Sequence, residues 1–280
     1  MSFHVFNYYN KGDDTMNNNW SRKTELKEHA GAWIRKMEAE HSDDIKYSIS
    51  NTKIYPDDYH FNIEEPESIT FTDIFVEDLT TVDAILKYDD IYSRMAALNF
   101  ASYKNPGGMF LNGSNAQEES LCHSSTLYCV LREFQQSFYD VNRNKLNHAL
   151  YNDDALYSKS IWFEKNGASS YCDIITIAAP NASAVNRYHG LYKSSIRPCL
   201  VSRIERMLAV AMENGVNTLI LGAFGCGVFG NNPATVANIF QYFLEEDFKY
   251  VFNTVVFAIP DRNSDNYKAF ETVFTKGRCN

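Results

Sequence analysis

The sequence predicts an α/β domain in which helices are layered on a mostly parallel or mixed sheet. Three observations carry this. Strand-type runs alternate with helix-type stretches from about residue 69 to the end. Two glycine turns, near residues 107 and 225, each stand between a strand-type and a helix-type segment. The composition, 45% hydrophobic and 22% charged over 280 residues, is that of a globular chain able to bury a sizeable core.

Taken in order, residues 1–18 are polar and rich in Asn and Asp, and loose order is expected there. Ser21 to about Glu40 reads as an amphipathic helix, because Leu26, Ala30, Trp33, Ile34 and Met37 recur on one face. Ser42–Tyr59 reads as an irregular connection anchored by Ile45, Ile49, Ile54 and Tyr55. Ile69–Val76 alternates as a strand. Asp78–Tyr88 suits a short helix capped from among Asp78, Thr80 and Thr81. Met95–Phe100 is an apolar strand, and beyond the next loop one helix is expected from about Ala116 to Phe134.

Phe138–Tyr157 looks like a polar connection, followed by strand candidates at Ile161–Phe163 and Cys172–Ala179. Pro180 stops the second of these. Ser194–Asn214 is a helix with Pro198 in its first turn. Ile204, Leu208 and Ala211 share one of its faces, Arg197, Arg203 and Arg206 lie elsewhere, and Gly215 ends it. Val216–Ala223 is a buried-type strand, and Pro233 opens a helix that runs to about Phe248. A strand at Thr254–Ile259 and a helix at Asn266–Thr275 complete the chain.

Composition removes several function classes. A net charge of −9 argues against a general nucleic-acid binder, which needs a basic face. No apolar run approaches the roughly 18 residues of a membrane helix. The opening Met-Ser-Phe-His-Val-Phe lacks the basic flank and apolar stretch of a signal peptide. Six cysteines without a C-x-x-C pair, and seven histidines without metal spacing, suggest neither a metal clip nor a disulfide framework. A cytoplasmic, metal-free, cofactor-free monomer is expected.

The chemistry is expected in two loops. Asn105–Ser120 opens with a turn holding Gly107 and Gly108 and closes on Gln117, Glu118 and Glu119 at a helix start. Acids there can simply favour the helix dipole, worth about 0.3–1 kcal/mol. Gly225, Gly227 and Gly230 form a G-x-G-x-x-G run between a strand and a helix, where backbone N–H groups and a helix N-terminus suit a diphosphate. A Rossmann site is disfavoured, because the turn falls late in the chain and no acid ends the next strand. Cys122 and Cys226 lack the surroundings of a nucleophile. Asn181, at a strand's carboxyl end, is a candidate ligand contact.

Together the loops resemble a known family. Leu98-Asn99-Phe100-Ala101-Ser102-Tyr103-Lys104-Asn105-Pro106-Gly107-Gly108, with Ala116-Gln117-Glu118-Glu119-Ser120-Leu121, resembles the signature loop of the microbial-type poly(ADP-ribose) glycohydrolases. Gly222 through Pro233 resembles their second phosphate loop, and Ala178–Ala182 and Val255–Ala258 also fit. The resemblance implies a macrodomain-like three-layer α/β/α sandwich with a mixed sheet. It divides the chain into an N-terminal helical accessory segment, 1–65, and an ADP-ribose-binding catalytic domain, 66–280.

The same resemblance implies residue roles. Glu119 is the catalytic carboxylate and Glu118 orients the ribose across the bond. Gly107, Gly108 and Gln117 lie on one side of the cleft; Gly225, Cys226, Gly227, Val228 and Gly230 lie on the other. Phe229 packs on the ribose beside the bond, and Asn99 and Asn105 shape that end. The implied partners are poly(ADP-ribose) or an ADP-ribosylated substrate and the product ADP-ribose. One position departs: the family carries three consecutive glycines after Asn-Pro, and the third is Met109 here. A Met there disfavours a positive φ, and two outcomes stay open: a narrowed site with changed substrate preference or weaker hydrolysis, or no effect if the side chain points outward.

The implied reaction is metal-independent cleavage of a ribose glycosidic bond, from chain ends. Glu119 protonates the departing oxygen and then activates water. For this its proton is expected to be retained in the complex, helped by Glu118 and the ligand phosphates. Non-hydrolytic ADP-ribose binding, mono-ADP-ribosyl hydrolysis and nicotinamide chemistry are the alternatives.

Overall fold

A computed structural model describes residues 16–61, 71–90 and 93–276. Of the loose order expected over residues 1–18, residues 1–15 fall outside the described residues, whereas residues 16–18 are helical. The start of the strand at Ile69 and the boundary between 65 and 66 also fall outside the described residues. Seven strands form one mixed sheet: β1 (Lys53–Tyr55), β2 (Asp73–Glu77), β3 (Met95–Phe100), β4 (Ala155–Lys165), β5 (Ala168–Ile177), β6 (Thr218–Leu221) and β7 (Thr254–Ala258). Their spatial order is β1-β4-β5-β3-β6-β7-β2. Pairing from β5 through β3, β6 and β7 to β2 is parallel, and β1–β4 and β4–β5 are antiparallel.

The helices are α1 (Met16–Glu40), α2 (Ser42–Ser50), α3 (Thr81–Lys87), α4 (Gln117–Cys122), α5 (Leu127–Leu131), α6 (Asp140–Arg143), α7 (Ala182–Tyr188), α8 (Ile196–Glu213), α9 (Pro233–Glu245) and α10 (Asp265–Lys276). Strand alternation sorts the core into two layers. Leu98, Ile175, Leu219, Val255 and Phe257 face the side of α8, α9 and α10, meeting Ile204, Leu208, Phe240 and Phe270. Ala97, Ile174, Ile220 and Val256 face the other side, with Met37, Ile45, Val82, Ile85 and Val130. This is the expected three-layer sandwich. Helices α1 and α2 lie in its second layer, and β1 adds a strand to the sheet.

The caps follow the sequence. Thr80 Oγ1 accepts from the Asp83 N–H at 3.2 Å, and Asn232 Oδ1 accepts from the Thr235 N–H at 2.9 Å with Pro233 in the first turn. Several expectations need correction. Ser42–Tyr59 is helix α2 and strand β1: Asp43 and Asp44 suit a first turn, and Ile45 and Ser48 are buried. The helix expected over 116–134 breaks after Cys122. The backbone there turns to meet β4, with Thr126 N–H donating to Trp162 O and Glu164 N–H to Ser124 O. Phe138–Tyr157 contains α6 and the start of β4. That strand joins β5 through an Asn166-Gly167 hairpin turn with φ of 53° and 82°. Among the described residues, no helix is long and apolar enough to cross a membrane.

Candidate active site

Strands β5, β3 and β6 are parallel neighbours, so the loops after them emerge at one edge of the sheet. These loops hold Asn181, the 105–120 segment and the 222–230 segment. The two glycine turns therefore belong to one place. Phe100 and Phe224 meet edge to face at 5.8 Å, and Tyr103 and Phe229 share a small apolar cluster with Tyr151 and Ala178.

The first loop is built around two buried carboxylates. Gln117 pins the start of α4 to β3: its Oε1 accepts from Phe100 N–H at 2.9 Å, and its Nε2 donates to Leu98 O at 2.8 Å. Glu118 Oε2 accepts from the Ser102 N–H at 2.7 Å. Its Oε1 accepts from Asn99 Nδ2 at 3.2 Å, and Asn99 is itself fully buried against Thr176 of β5. Burial pushes the Glu118 carboxyl up to about 8. Nearby Glu119 pushes the same way, and the bonds from Ser102, Asn99 and Gly107 oppose it. Glu119 Oε1 accepts from the Met109 N–H at 2.8 Å, while its Oε2 is buried without a protein partner.

Glycine is required where the turn crosses these acids. Gly108 has φ +60°, and a Cβ there would stand 2.6 Å from Glu119 Oε1 and 2.9 Å from Glu118 Oε2. Met109 differs. Its φ is −109°, an ordinary value, and its side chain is 49% exposed. Of the two outcomes left open for this position, the outward side chain is the one found. Asn105 lies at the outer end of the loop, where its Oδ1 accepts from Arg143 of α6 at 3.0 Å.

In the second loop, Gly225 has φ +69°, and its Cβ position is closed by Ala179 and Asn231, each 2.5 Å away. Gly230, also left-handed, leaves no room beside Ser183. Gly227 has open space at its Cβ position, Val228 is exposed, and Phe229 packs 6.2 Å from Tyr151. Cys226 is partly buried, and burial pushes its thiol up to about 12; Cys122 is fully buried and its thiol is also pushed up. Neither is a ready thiolate. Asn181 caps α7, its Oδ1 accepting from the Ala184 N–H at 2.9 Å.

Some supporting residues escaped the sequence reading. Asn231 ties the second loop to the strand end, its Nδ2 donating to Pro180 O at 2.9 Å and Gly225 O at 3.0 Å. Its place directly after the last glycine was the available signal. Arg203 is fully buried in α8 and binds Asp153, Ala178 O and Leu150 O. It holds the segment that stacks Tyr151 on Tyr103 at 4.5 Å. On the layer opposite α8, α1 covers the first loop: the Lys23 carbonyl occupies the space beside Gly113. His29 Nδ1 also lies 3.0 Å from His123 Nδ1 at the end of α4. Among the described residues, Glu40, His41 and Glu164 alone group as metal-type ligands. They lie where α1, α2 and β4 meet, with Lys36 already paired to Glu164.

The family model for the microbial-type PARG catalytic domain matches residues 24–166. A Deinococcus radiodurans poly(ADP-ribose) glycohydrolase solved with ADP-ribose is 35% identical, covering 84% of this chain and 98% of its own, with a TM-score of 0.74. The chain belongs to the microbial-type poly(ADP-ribose) glycohydrolase family. Two structures of the Thermomonospora curvata glycohydrolase are similar as well, each at 29% identity. One has a TM-score of 0.79 and covers 90% of this chain and 100% of its own. The other, bound to the inhibitor ADP-HPD, has a TM-score of 0.76 and covers 89% and 99%. No curated protein sequence matches the chain. The family model itself ends before the second glycine loop.

Proposed function

We propose that this chain is a poly(ADP-ribose) glycohydrolase that releases ADP-ribose from chain ends, with Glu119 as acid and then base. The observation that carries the reading is Glu119 itself. One carboxylate oxygen is anchored on a backbone N–H, and the other is buried with no hydrogen-bond partner in the protein, which leaves it the acceptor position a substrate oxygen would satisfy. Cleavage builds positive charge at the anomeric carbon and negative charge on the departing oxygen. Glu119 gives its proton to that oxygen, the departing chain leaves with it, and the resulting carboxylate takes a proton from the attacking water.

The other residues position the reactants. Gly107, Gly108, Gly225 and Gly227 let backbone approach the diphosphate, and Phe229 packs on the ribose beside the bond. Glu118, held by the Ser102 N–H and Asn99 and with its carboxyl raised by burial, orients the ribose across the bond. Met109 presents an ordinary backbone angle and an outward side chain, which favours turnover over binding alone. A net charge of −9 goes with a protein that has no general affinity for nucleic acid, and a cytoplasmic monomer is the state we propose.

Incubation with poly(ADP-ribose) and with mono-ADP-ribosylated protein, reading out free ADP-ribose, tests the substrate. Glu119→Gln should lower kcat by about 10²–10⁴ and still bind ADP-ribose in calorimetry. Turnover at the parent rate in that variant would end the mechanism.

A further inference from the structure

The chain carries 35 acidic residues in 280, yet between Asp173 and Glu205 it has none. The same stretch holds Arg187, Lys193, Arg197 and Arg203, so it is locally basic on a protein of net charge −9. Arg203 is buried and committed to Asp153. The other three are exposed, and none has an ion-pair partner among the described residues.

Its place in the fold gives that charge a direction. The run leaves the sheet at the end of β5 and enters α7, whose Ser183 N–H donates to Phe229 O at 2.9 Å. It thus starts against the second glycine loop. Beyond α7, residues Gly190–Ser195 form a 3-10 segment. Here large side chains face outward: Tyr188 is 68% exposed and Leu191 95% exposed. The Arg187 guanidinium lies over the Tyr188 ring at 5.3 Å. Tyr192 stacks on His148 at 3.8 Å, with His189 5.3 Å from the same histidine. His148 is held in a left-handed conformation, φ 55°, in the segment that Arg203 ties down. Exposed rings, one of them under an arginine, beside further unpaired cations suit a ligand that repeats bases and pyrophosphates.

We propose that the arm formed by α7 and residues 189–195 is a second subsite, which holds the ADP-ribose unit next to the one being cleaved. This rests on the proposed function. There Phe229 packs beside the bond that breaks, so the departing chain emerges next to the start of the arm. Arg187 and Lys193 take its pyrophosphate, and Tyr188 and Tyr192 offer faces for its adenine. The arm adds affinity for polymer and none for a single ADP-ribose, and it touches no reacting atom.

The test compares the parent with Arg187→Gln/Lys193→Gln and with Tyr192→Ala. KM and kcat are measured on long poly(ADP-ribose) over a range of salt, and the Kd for ADP-ribose by calorimetry. In the double variant, the polymer KM should rise severalfold with kcat and the ADP-ribose Kd unchanged. The slope of log KM against log salt should become shallower by about 1.4, because two fewer cations then neutralise phosphates of a single-stranded polyanion. Tyr192→Ala should raise KM without changing that slope. An unchanged polymer KM and slope in the double variant overturns the subsite, as does an equal loss of ADP-ribose affinity, which would mean general damage. A parent protein that releases no ADP-ribose from polymer would instead overturn the proposed function.

Discussion

The backbone N–H of Met109 donates to Glu119 Oε1 at 2.8 Å, so the residue that follows Gly107 and Gly108 in the turn is the one that anchors the proposed acid. The bond uses backbone only, and the side chain lies outside, with Sδ 3.8 Å from Asn112 Nδ2. Met109→Gly is therefore expected to keep kcat within about threefold. Its stability should fall by about 0.5–1 kcal/mol, because glycine enlarges the unfolded ensemble. Steady-state rates with urea melts check both. A large gain in kcat would mean that the side chain obstructs the cleft after all.

Gly108 should behave in the opposite way. A methyl group there meets both carboxylates at once, and the φ of +60° strains any L side chain. Gly108→Ala should cut kcat/KM by about 10²-fold, since displacing Glu119 by a fraction of an ångström misplaces its proton. Gly227→Ala is the internal control: its Cβ position has nothing within 4 Å, so its melting temperature should match the parent.

Glu118 links the site to pH. Burial pushes its folded carboxyl up to about 8, from an ordinary value of 4.5. Between those values the folded state holds a proton that the unfolded chain releases. The group's contribution to stability is therefore full below about 4.5, declines as pH rises toward 8, and is then constant. Glu118→Gln should remove that decline, which thermal melts from about pH 5 to about pH 9 would reveal. A wild-type decline that persists unchanged in the variant would place its source elsewhere.

His123 acts in the reverse sense. Burial first, then His29, pushes it down to about 4 from 6.5, and burial lowers His29 too. The unfolded chain takes up these protons first, so stability is full above 6.5 and falls as pH drops toward 4. Since His123 N–H bonds Glu119 O and its ring meets Phe110 of the first loop at 4.6 Å, the loss should reach the site. His123→Phe keeps the ring contact and removes the titration. Its melting temperature should vary less than the parent's between pH 6.5 and 4.

What the sequence showed best was whatever depends on local pattern. The apolar runs at Met95–Phe100 and Thr254–Ala258 alternate between two buried faces, and both read as strands. Pro233 and Thr80 mark helix starts by chemistry that acts within a few residues. The break after Cys122 was invisible because its cause is distant: residues 124–126 leave the helix to bond β4, some 36 to 40 positions later. Glu118 and Glu119 were legible as a pair through their place after the glycine turn. Which oxygen stays free was not, since that depends on how Met109 and Ser102 fold back. Asn166-Gly167 was a local signal that went unused.

Arg203 gives the sharpest case of a residue whose role depends on distant partners. On α8 it looks like one more surface cation, yet it is completely buried and bridges Asp153 and the carbonyls of Ala178 and Leu150. Those bonds hold a strained segment in which Asn147, His148, Ala149 and Tyr151 all have positive φ. Truncation would leave Asp153 and two carbonyls without their partner, so Arg203→Met should cost about 3–5 kcal/mol in a urea melt. Lysine keeps the charge but lacks the planar fork that reaches three acceptors, so Arg203→Lys should recover only part of that loss. Because the segment carries Tyr151 against Tyr103 and Phe229, the lysine variant should also show a raised KM for poly(ADP-ribose) at nearly unchanged kcat. A lysine variant as stable as the parent would show that charge alone, rather than the three-way bridge, holds this segment.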